Sequence, residues 1–379
     1  MQPANTKKVL IAGASIAGLT LAYWLAKAGY HITVVELAAQ PRQGGAAINV
    51  QGEALASAKR MGIYEHLLAH RLPPVHFTFA DADADTGASA DLASALPPAE
   101  EAEATASDEG EEIEIERDKL LAILLAALPG DVEFLFNDRL AGLHETAEAL
   151  HVTFRQGAPR TFDLVVGCDG LHSGVRRLWF GPEAQYACFL QHYASLTIVD
   201  HLLLPSNTAE LYNTPGKGVL LNAYNGKTDI IFWFFSESKL PYDYRDTAQQ
   251  RALVQQQFAG QGWRTAELLA EVQRAGISYF EEFCQIKMPA WTKGRVALVG
   301  DAAYCASPAA GIGASLAMQG ATVLAEALAT HAGEVDRAFA AYEQALRAYV
   351  EQVQATAVTM LHTFFVPKTA EAIRARNAQ

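Results

Sequence analysis

Three short clusters of glycine, serine and acidic residues have the types and spacing to hold a nucleotide. The first is Gly13-Ala14-Ser15-Ile16-Ala17-Gly18, followed by Glu36 and Leu37. Glycine permits a tight turn, and small residues let backbone N–H groups approach a pyrophosphate. A helix that starts there turns the positive end of its dipole toward the phosphates. Glu36, 18 residues beyond Gly18, would accept hydrogen bonds from ribose hydroxyls. Ser15 stands in place of the middle glycine of G-x-G-x-x-G, which alters the motif and leaves its context intact. These residues alone do not separate FAD from NAD, and a structural turn is the competing reading.

The second cluster is Cys168-Asp169-Gly170-Leu171-His172-Ser173-Gly174-Val175-Arg176. The third is Gly300-Asp301-Ala302-Ala303, followed by Ser307-Pro308-Ala309-Ala310-Gly311-Ile312-Gly313-Ala314-Ser315. Each by itself could be a strand-to-helix turn with an aspartate cap. No metal chemistry is expected, because Cys168, Cys188, Cys284 and Cys305 fall in no ligand spacing. Free thiols and an N-terminus unlike a signal peptide imply a reducing, cytoplasmic location.

Regular elements must position these clusters. Lys8–Ala12 reads as a buried parallel strand, residues Ala17 to Ala28 as a helix with Gly29 as its C-cap, and His31 to Val35 as a second strand, which makes a β-α-β unit. Asp118 to Leu128 reads as a helix. Val132 to Phe136, His151 to Phe154 and Phe162 to Val166 read as strands. From about Phe180 to Phe283 the texture changes to β-branched and aromatic runs, including Ser195 to Asp200, Lys217 to Tyr224 and Thr228 to Phe235, which imply a largely antiparallel sheet. In the last run Ile230, Phe232 and Phe234 must point opposite to Ile231, Trp233 and Phe235. Helices Thr247 to Phe258 and Ala266 to Ala275 are expected over one face, and a ligand site or ordinary core over the other. Arg295 to Val299 reads as a strand, and Val335 to Phe365 as long helical sequence.

The chain has 379 residues, half of them hydrophobic, and a net charge of −13. The acidity is local: between Asp81 and Glu116 lie 13 acidic residues and no Lys or Arg, and the remaining 29 acidic residues balance 29 basic ones. This block is expected to be a solvated loop bounded by strands Val75 to Phe79 and Glu112 to Glu116 that meet each other. No basic stripe exists for nucleic acid, and no apolar run is long enough to span a bilayer.

Taken together and in this order, the three clusters resemble those of the flavoprotein monooxygenases shaped like p-hydroxybenzoate hydroxylase. Asp169-Gly170 matches the family's middle "DG" motif and Gly300-Asp301 its C-terminal "GD" motif. The wording from Gly300 to Ala317 is most similar to the branch containing tetracycline-inactivating and aromatic polyketide hydroxylases. Within that likeness Arg117 matches a flavin-contacting arginine before a helix, and Gly44-Gly45-Ala46-Ala47-Ile48-Asn49 resembles a flavin-edge segment. Arg42 is a candidate for cofactor contact or for gating NADPH, and loop exposure accounts for it equally well. The chain departs from the family at Tyr304, where many members have His, at Ser315, where many have Asn, and at Asn49, where Asp is common.

The resemblance implies an α/β fold. A Rossmann-like FAD-binding domain (residues 1–74, 108–178 and 285–333) would carry an inserted, mainly antiparallel substrate domain (75–107 and 179–284) and a C-terminal helical segment (334–379). It implies non-covalent FAD held by Gly13, Ser15, Ile16, Ala17, Gly18, Glu36, Leu37, Arg42, Asn49, Arg117, Asp169, Asp301, Pro308, Gly311, Ile312, Gly313 and Ala314. NADPH or NADH would be a transient co-substrate and O2 the oxidant, with hydroxylation of an aromatic or polyketide-like molecule through a flavin C4a-hydroperoxide. No base is assigned; His192, His201, Tyr193 and Tyr212 lie in the expected lobe. A flavin-dependent reductase on the same scaffold and a non-catalytic FAD-binding protein are the alternatives, and a monomer or homodimer is expected.

Overall fold

A computed structural model describes residues 7–40, 45–80, 88–91 and 111–378, with the backbone alone for 88–91. The chain divides into two compact units, Met1–Arg71 with Asp108–Cys188 and Cys284–Ala355, and Leu72–Ser107 with Phe189–Phe283 and Thr356–Gln379.

In the first unit Lys8–Ala12 is apolar after its lysine, and residues 9–12 are buried. A strand apolar on both faces belongs inside a parallel sheet. It pairs in parallel with His31–Glu36 on one edge and Leu164–Gly167 on the other. The six-stranded order is Thr292–Lys293, Val296–Leu298, Leu164–Gly167, Lys8–Ala12, His31–Glu36, Glu133–Phe136. All neighbours run parallel except the edge strand Thr292–Lys293. Five strands therefore end on one side of the sheet, and the residues that follow the four central to the site are Gly13, Leu37, Cys168 and Val299-Gly300. Ligands of open α/β sheets bind beyond such carboxyl ends.

Helices Ile16–Lys27 and Gly313–Thr330 are tied by Trp24, whose Nε1 donates to Thr322 Oγ1 at 3.1 Å. The expected strand from Phe162 to Val166 is two elements. Arg160–Phe162 pairs with Leu150–Phe154 in a three-stranded antiparallel sheet, while Leu164–Gly167 enters the parallel one. Asp163 makes the break: its carboxylate accepts from the Lys8 N–H at 2.7 Å and its own N–H donates to the Lys8 carbonyl at 2.8 Å.

Glu112–Glu116 pairs antiparallel with Ala47–Gln51, Asn49 opposite Glu114. Its alternation is physical: Ile113 and Ile115 are fully buried and the glutamates half-buried. The expectation that this strand meets the one near Val75 to Phe79 is corrected here. His76–Ala80 belongs to the second unit and pairs with Thr208–Thr214 and Ala88–Asp91. Four residues of the acidic stretch are thus an edge strand; residues 81–87 and 92–110 lie outside the described residues.

The second unit is built on a seven-stranded sheet of order Tyr279–Ile286, Ala187–Val199, Lys227–Phe235, Lys217–Tyr224, Thr208–Thr214, His76–Ala80, Ala88–Asp91. The central pairs are antiparallel. Ile230, Phe232 and Phe234 are fully buried in one core with Val254 and Phe258 of helix Thr247–Phe258 and Leu268 and Val272 of helix Thr265–Ala275. On the opposite face Trp233 packs edge-on against Phe365, ring centroids 5.0 Å apart. The long C-terminal helix is Val335–Met360; a π-helical turn, Leu361–Phe365, and a separate helix, Ala370–Asn377, follow it where continuous helix to Phe365 was expected. Among the described residues, no helix is long and apolar enough to cross a membrane.

Candidate FAD site and its relatives

The loop after Lys8–Ala12 is fixed from three sides. Gly13 has φ of +105°, and a Cβ there would stand 2.5 Å from the carbonyl oxygen of Cys168. A Cβ on Gly18 would stand 2.0 Å from the Gly13 oxygen. Both positions exclude any side chain, so the motif's outer glycines are required by close approach. Ser15 can replace the middle glycine because it does different work. Its Oγ accepts from the Gly18 N–H at 3.2 Å as the helix N-cap and donates to the Cys168 carbonyl at 2.8 Å. Ile16 and Ala17 are buried beneath the loop.

Glu36 closes the loop's other side, its two carboxylate oxygens accepting from the N–H groups of Ala14 and Ala38, each at 2.9 Å. A carboxylate has further lone pairs for ribose hydroxyls. Leu37 is 59% exposed beside it, an unusual position for a large apolar side chain.

Asp169 is engaged within the protein. Oδ1 accepts from the Ser173 hydroxyl at 2.5 Å, and Oδ2 from the N–H groups of Gly174 and Val175 at 2.7 and 3.1 Å. Burial pushes its carboxyl above the usual range against these donors. Arg176, noted in sequence only as the end of its motif, is fully buried and donates to the carbonyls of Ala302 (2.8 Å) and Leu171 and to Glu183 (2.8 Å). It therefore ties the second cluster to the third. A Cβ on Gly300 would lie 3.3 Å from Ala17 Cβ, so the third cluster also abuts the first.

Asp301 opens the short helix Asp301–Tyr304. It is exposed, whereas every residue from Ala302 to Ser307 is buried. Its carboxylate heads the helix at the strand's end and also acts on the buried Cys305 thiol. Beyond it Ser307 holds φ of +80° and caps the turn Pro308–Ala310, with Ala309 N–H donating to its Oγ at 3.3 Å. Helix Gly313–Thr330 then begins at Ile312 without a side-chain cap, unlike the helices begun by Ser15 and Ser173. Gly311 and Gly313 are exposed, and Ile312 and Ala314 half-buried. Uncapped N–H groups and a helix dipole are arranged there to meet an electron-rich ligand edge.

Ser315 binds this helix to the Asn49 strand, donating to the Asn49 carbonyl at 3.0 Å and accepting from Gln51 N–H at 3.1 Å. Arg117 starts helix Arg117–Ala126 and packs its stem against Gly45, whose Cβ position lies 3.4 Å from Arg117 Cβ and Cδ. Arg42 and Gly44 lie outside the described residues. Tyr304 has no place at the exposed edge. It is fully buried, its hydroxyl 3.1 Å from that of Tyr342 and its ring 4.6 Å from that of Trp291.

The donor set thus fits FAD: two exposed or half-exposed carboxylates, a glycine-lined loop at a capped helix and an uncapped helix N-terminus, all at one end of one parallel sheet. Among the base candidates, Tyr193 accepts from Leu240 N–H at 2.8 Å within an aromatic core, and Tyr212 stacks on Trp263. His201 lies 3.6 Å from Glu271 at the surface.

The chain matches the FAD binding domain family over residues 6–357, nearly its whole length, and belongs to that family. Within it, the protein is an FAD-dependent monooxygenase. A flavin-dependent monooxygenase from an unidentified prokaryote is 35% identical over 376 residues, covering 98% of this chain and 94% of the relative. An uncharacterized protein of Mycobacterium tuberculosis is 38% identical over 351 residues, 92% of each chain. Among solved structures, the tetracycline destructase Tet(55) superposes with a TM-score of 0.84 at 34% identity, covering 100% of this chain and 95% of that one.

Proposed function

We propose that the enzyme uses NADPH or NADH and O2 to hydroxylate a planar aromatic or polyketide-like molecule, and that the second unit supplies the surface on which that molecule lies. The observation that carries the substrate class is an apolar strip on the sheet face opposite the helices. Leu196, Ile231 and Leu220 stand in cross-strand register, all half-buried. Beside them, one register step along, are Ile198, Asp229 and Asn222, so polar groups edge an apolar floor. Side chains of three adjacent strands on one face lie about 5 Å apart, which suits a fused-ring plane. The tetracycline destructases, whose name states their substrate class, support the same reading.

FAD, when bound, supplies the electron transfer and oxygen activation. This chain's residues orient it: Glu36 the ribose, the Gly13–Gly18 loop the pyrophosphate, Asp301 the ribityl side, and the helix start at Gly311 to Ala314 the pyrimidine edge. Backbone dipoles at that edge stabilise negative charge without an ionisable side chain. The four free cysteines accord with a reducing, cytoplasmic setting. The test is to measure NADPH and NADH oxidation and O2 uptake with tetracycline, anhydrotetracycline and naphthols. Stimulated, stoichiometric consumption with one of these supports the reading; nicotinamide oxidation that needs no O2 contradicts it.

A further inference from the structure

In the second unit, the C-terminal segment lies against the sheet face that carries Trp233 and Phe235. Phe364 packs on Phe77 and Phe79 at 5.8 and 5.9 Å, and Phe365 packs on Trp233. Asn213 Nδ2 donates to the Phe365 carbonyl at 2.8 Å, Gly216 N–H donates to Pro367 O at 3.0 Å, and Arg376 donates to Asn213 Oδ1 at 2.8 Å. Gly218 is bare where a Cβ would stand 2.8 Å from the Phe365 oxygen. The docking is well satisfied except at one point.

That point is a pair of histidines. His192 is fully buried, with Nδ1 2.7 Å from the Leu190 carbonyl. A carbonyl only accepts, so Nδ1 carries the proton and Nε2 is a bare lone pair. Nε2 is buried and without a partner. His362, on the π-helical turn, holds its ring 5.3 Å from that of His192, and its Nδ1 is also buried and without a partner. The rings of Phe235 and Phe283 flank His192. The charged group acting on both imidazoles is Lys368, whose Nζ sits 4.5 Å over the Phe235 ring. Among the described residues, no carboxylate acts on either.

We propose that His192 and His362 form an acid-sensitive latch: while both imidazoles are neutral, the segment from Leu361 to Asn377 stays on the sheet, and protonation releases it. Buried nitrogens without partners tolerate the neutral ring; a charged ring would face a second histidine, a lysine and aromatic walls. Burial, more than either neighbour, lowers His192 to about 4 and moves His362 below its ordinary value. The sign follows from linkage. Released imidazoles bind protons near pH 6.5, so docking is fully favoured above that pH and weakens as pH falls toward 4. Release would uncover Phe77, Phe79, Trp233 and Phe235, a face otherwise covered by this chain's own end.

Hydrogen exchange of the FAD-loaded, full-length enzyme, corrected for intrinsic rates, tests the latch at pH 7.5, 6 and 4.5. Protection of residues 361–377 is expected to fall at least tenfold across that range, while the strand Lys217–Tyr224 keeps its protection. His192→Phe and His362→Phe each keep a ring and lose one titration, so the fall should be smaller in either, and protection should become independent of pH in the double variant. Unchanged protection in the wild type overturns the proposal. So does an equal fall in the variants, or simultaneous loss in Lys217–Tyr224, which would be global acid unfolding.

Discussion

The Tyr304 hydroxyl lies 1.9 Å from the point where a Cβ on Gly320 would stand. The two positions are therefore coupled: a bare backbone in helix Gly313–Thr330 makes room for the phenol of Tyr304. Gly320→Ala should destabilise by about 1–3 kcal/mol through overpacking. Tyr304→Phe should cost about 1 kcal/mol through the lost hydrogen bond. The double variant should be more stable than the sum of the two, because the clashing oxygen is gone. Urea unfolding of the four proteins measures the coupling, and strict additivity would mean the contact is not what limits position 320.

Ser15 caps a helix and bridges to Cys168, so Ser15→Ala should lower stability by about 1 kcal/mol, while Ser15→Gly should lower it by a few tenths and restore the usual motif. FAD affinity should be weaker in the alanine variant than in the glycine variant. Equal FAD dissociation constants would show that the cap does not hold the loop in its binding form.

Asp301 heads a buried run with its carboxylate exposed, so a role in folding is small and a role toward ligand is large. Asp301→Ala should weaken FAD binding by about ten- to a hundredfold with the melting temperature of the FAD-free protein nearly unchanged. Unaltered affinity would remove Asp301 from the site.

Cys188 is exposed, whereas Cys168, Cys284 and Cys305 are buried. Burial holds the Cys168 and Cys305 thiols well above their ordinary value. A thiol reagent at pH 8 should therefore label one cysteine in the native protein and the other three only on unfolding. Cys188→Ser should abolish the fast reaction.

Much of the site was legible because its signals are local. Gly13, Gly18 and Glu36 fall within a single strand-turn-helix-strand unit, and the alternation from Ile230 to Phe235 announced two apolar faces. What covers the second face was not legible, since the segment lies more than a hundred residues away and depends on a π-helical turn without a residue signature. The pairing of Ala47–Gln51 with Glu112–Glu116 was missed for a similar reason: nothing in two short strands names a partner about sixty residues distant, and the nearer strand was the natural assumption. Arg176 was overlooked because a buried arginine is rare, and only its three acceptors distinguish it from a helix surface cation. Asp163 divides an apolar run because its side chain and backbone both pair with Lys8, a contact made in space.

The central claim is that FAD held by these loops inserts an atom of O2 into an aromatic or polyketide-like substrate. The most direct measurement is mass spectrometry of products formed under 18O2 with NADPH, using whichever of the tetracyclines and naphthols stimulates turnover. A product carrying one 18O atom, with none incorporated from H2 18O, is the predicted result. Full NADPH oxidation with every probe, all of the label recovered as hydrogen peroxide or water, would contradict it.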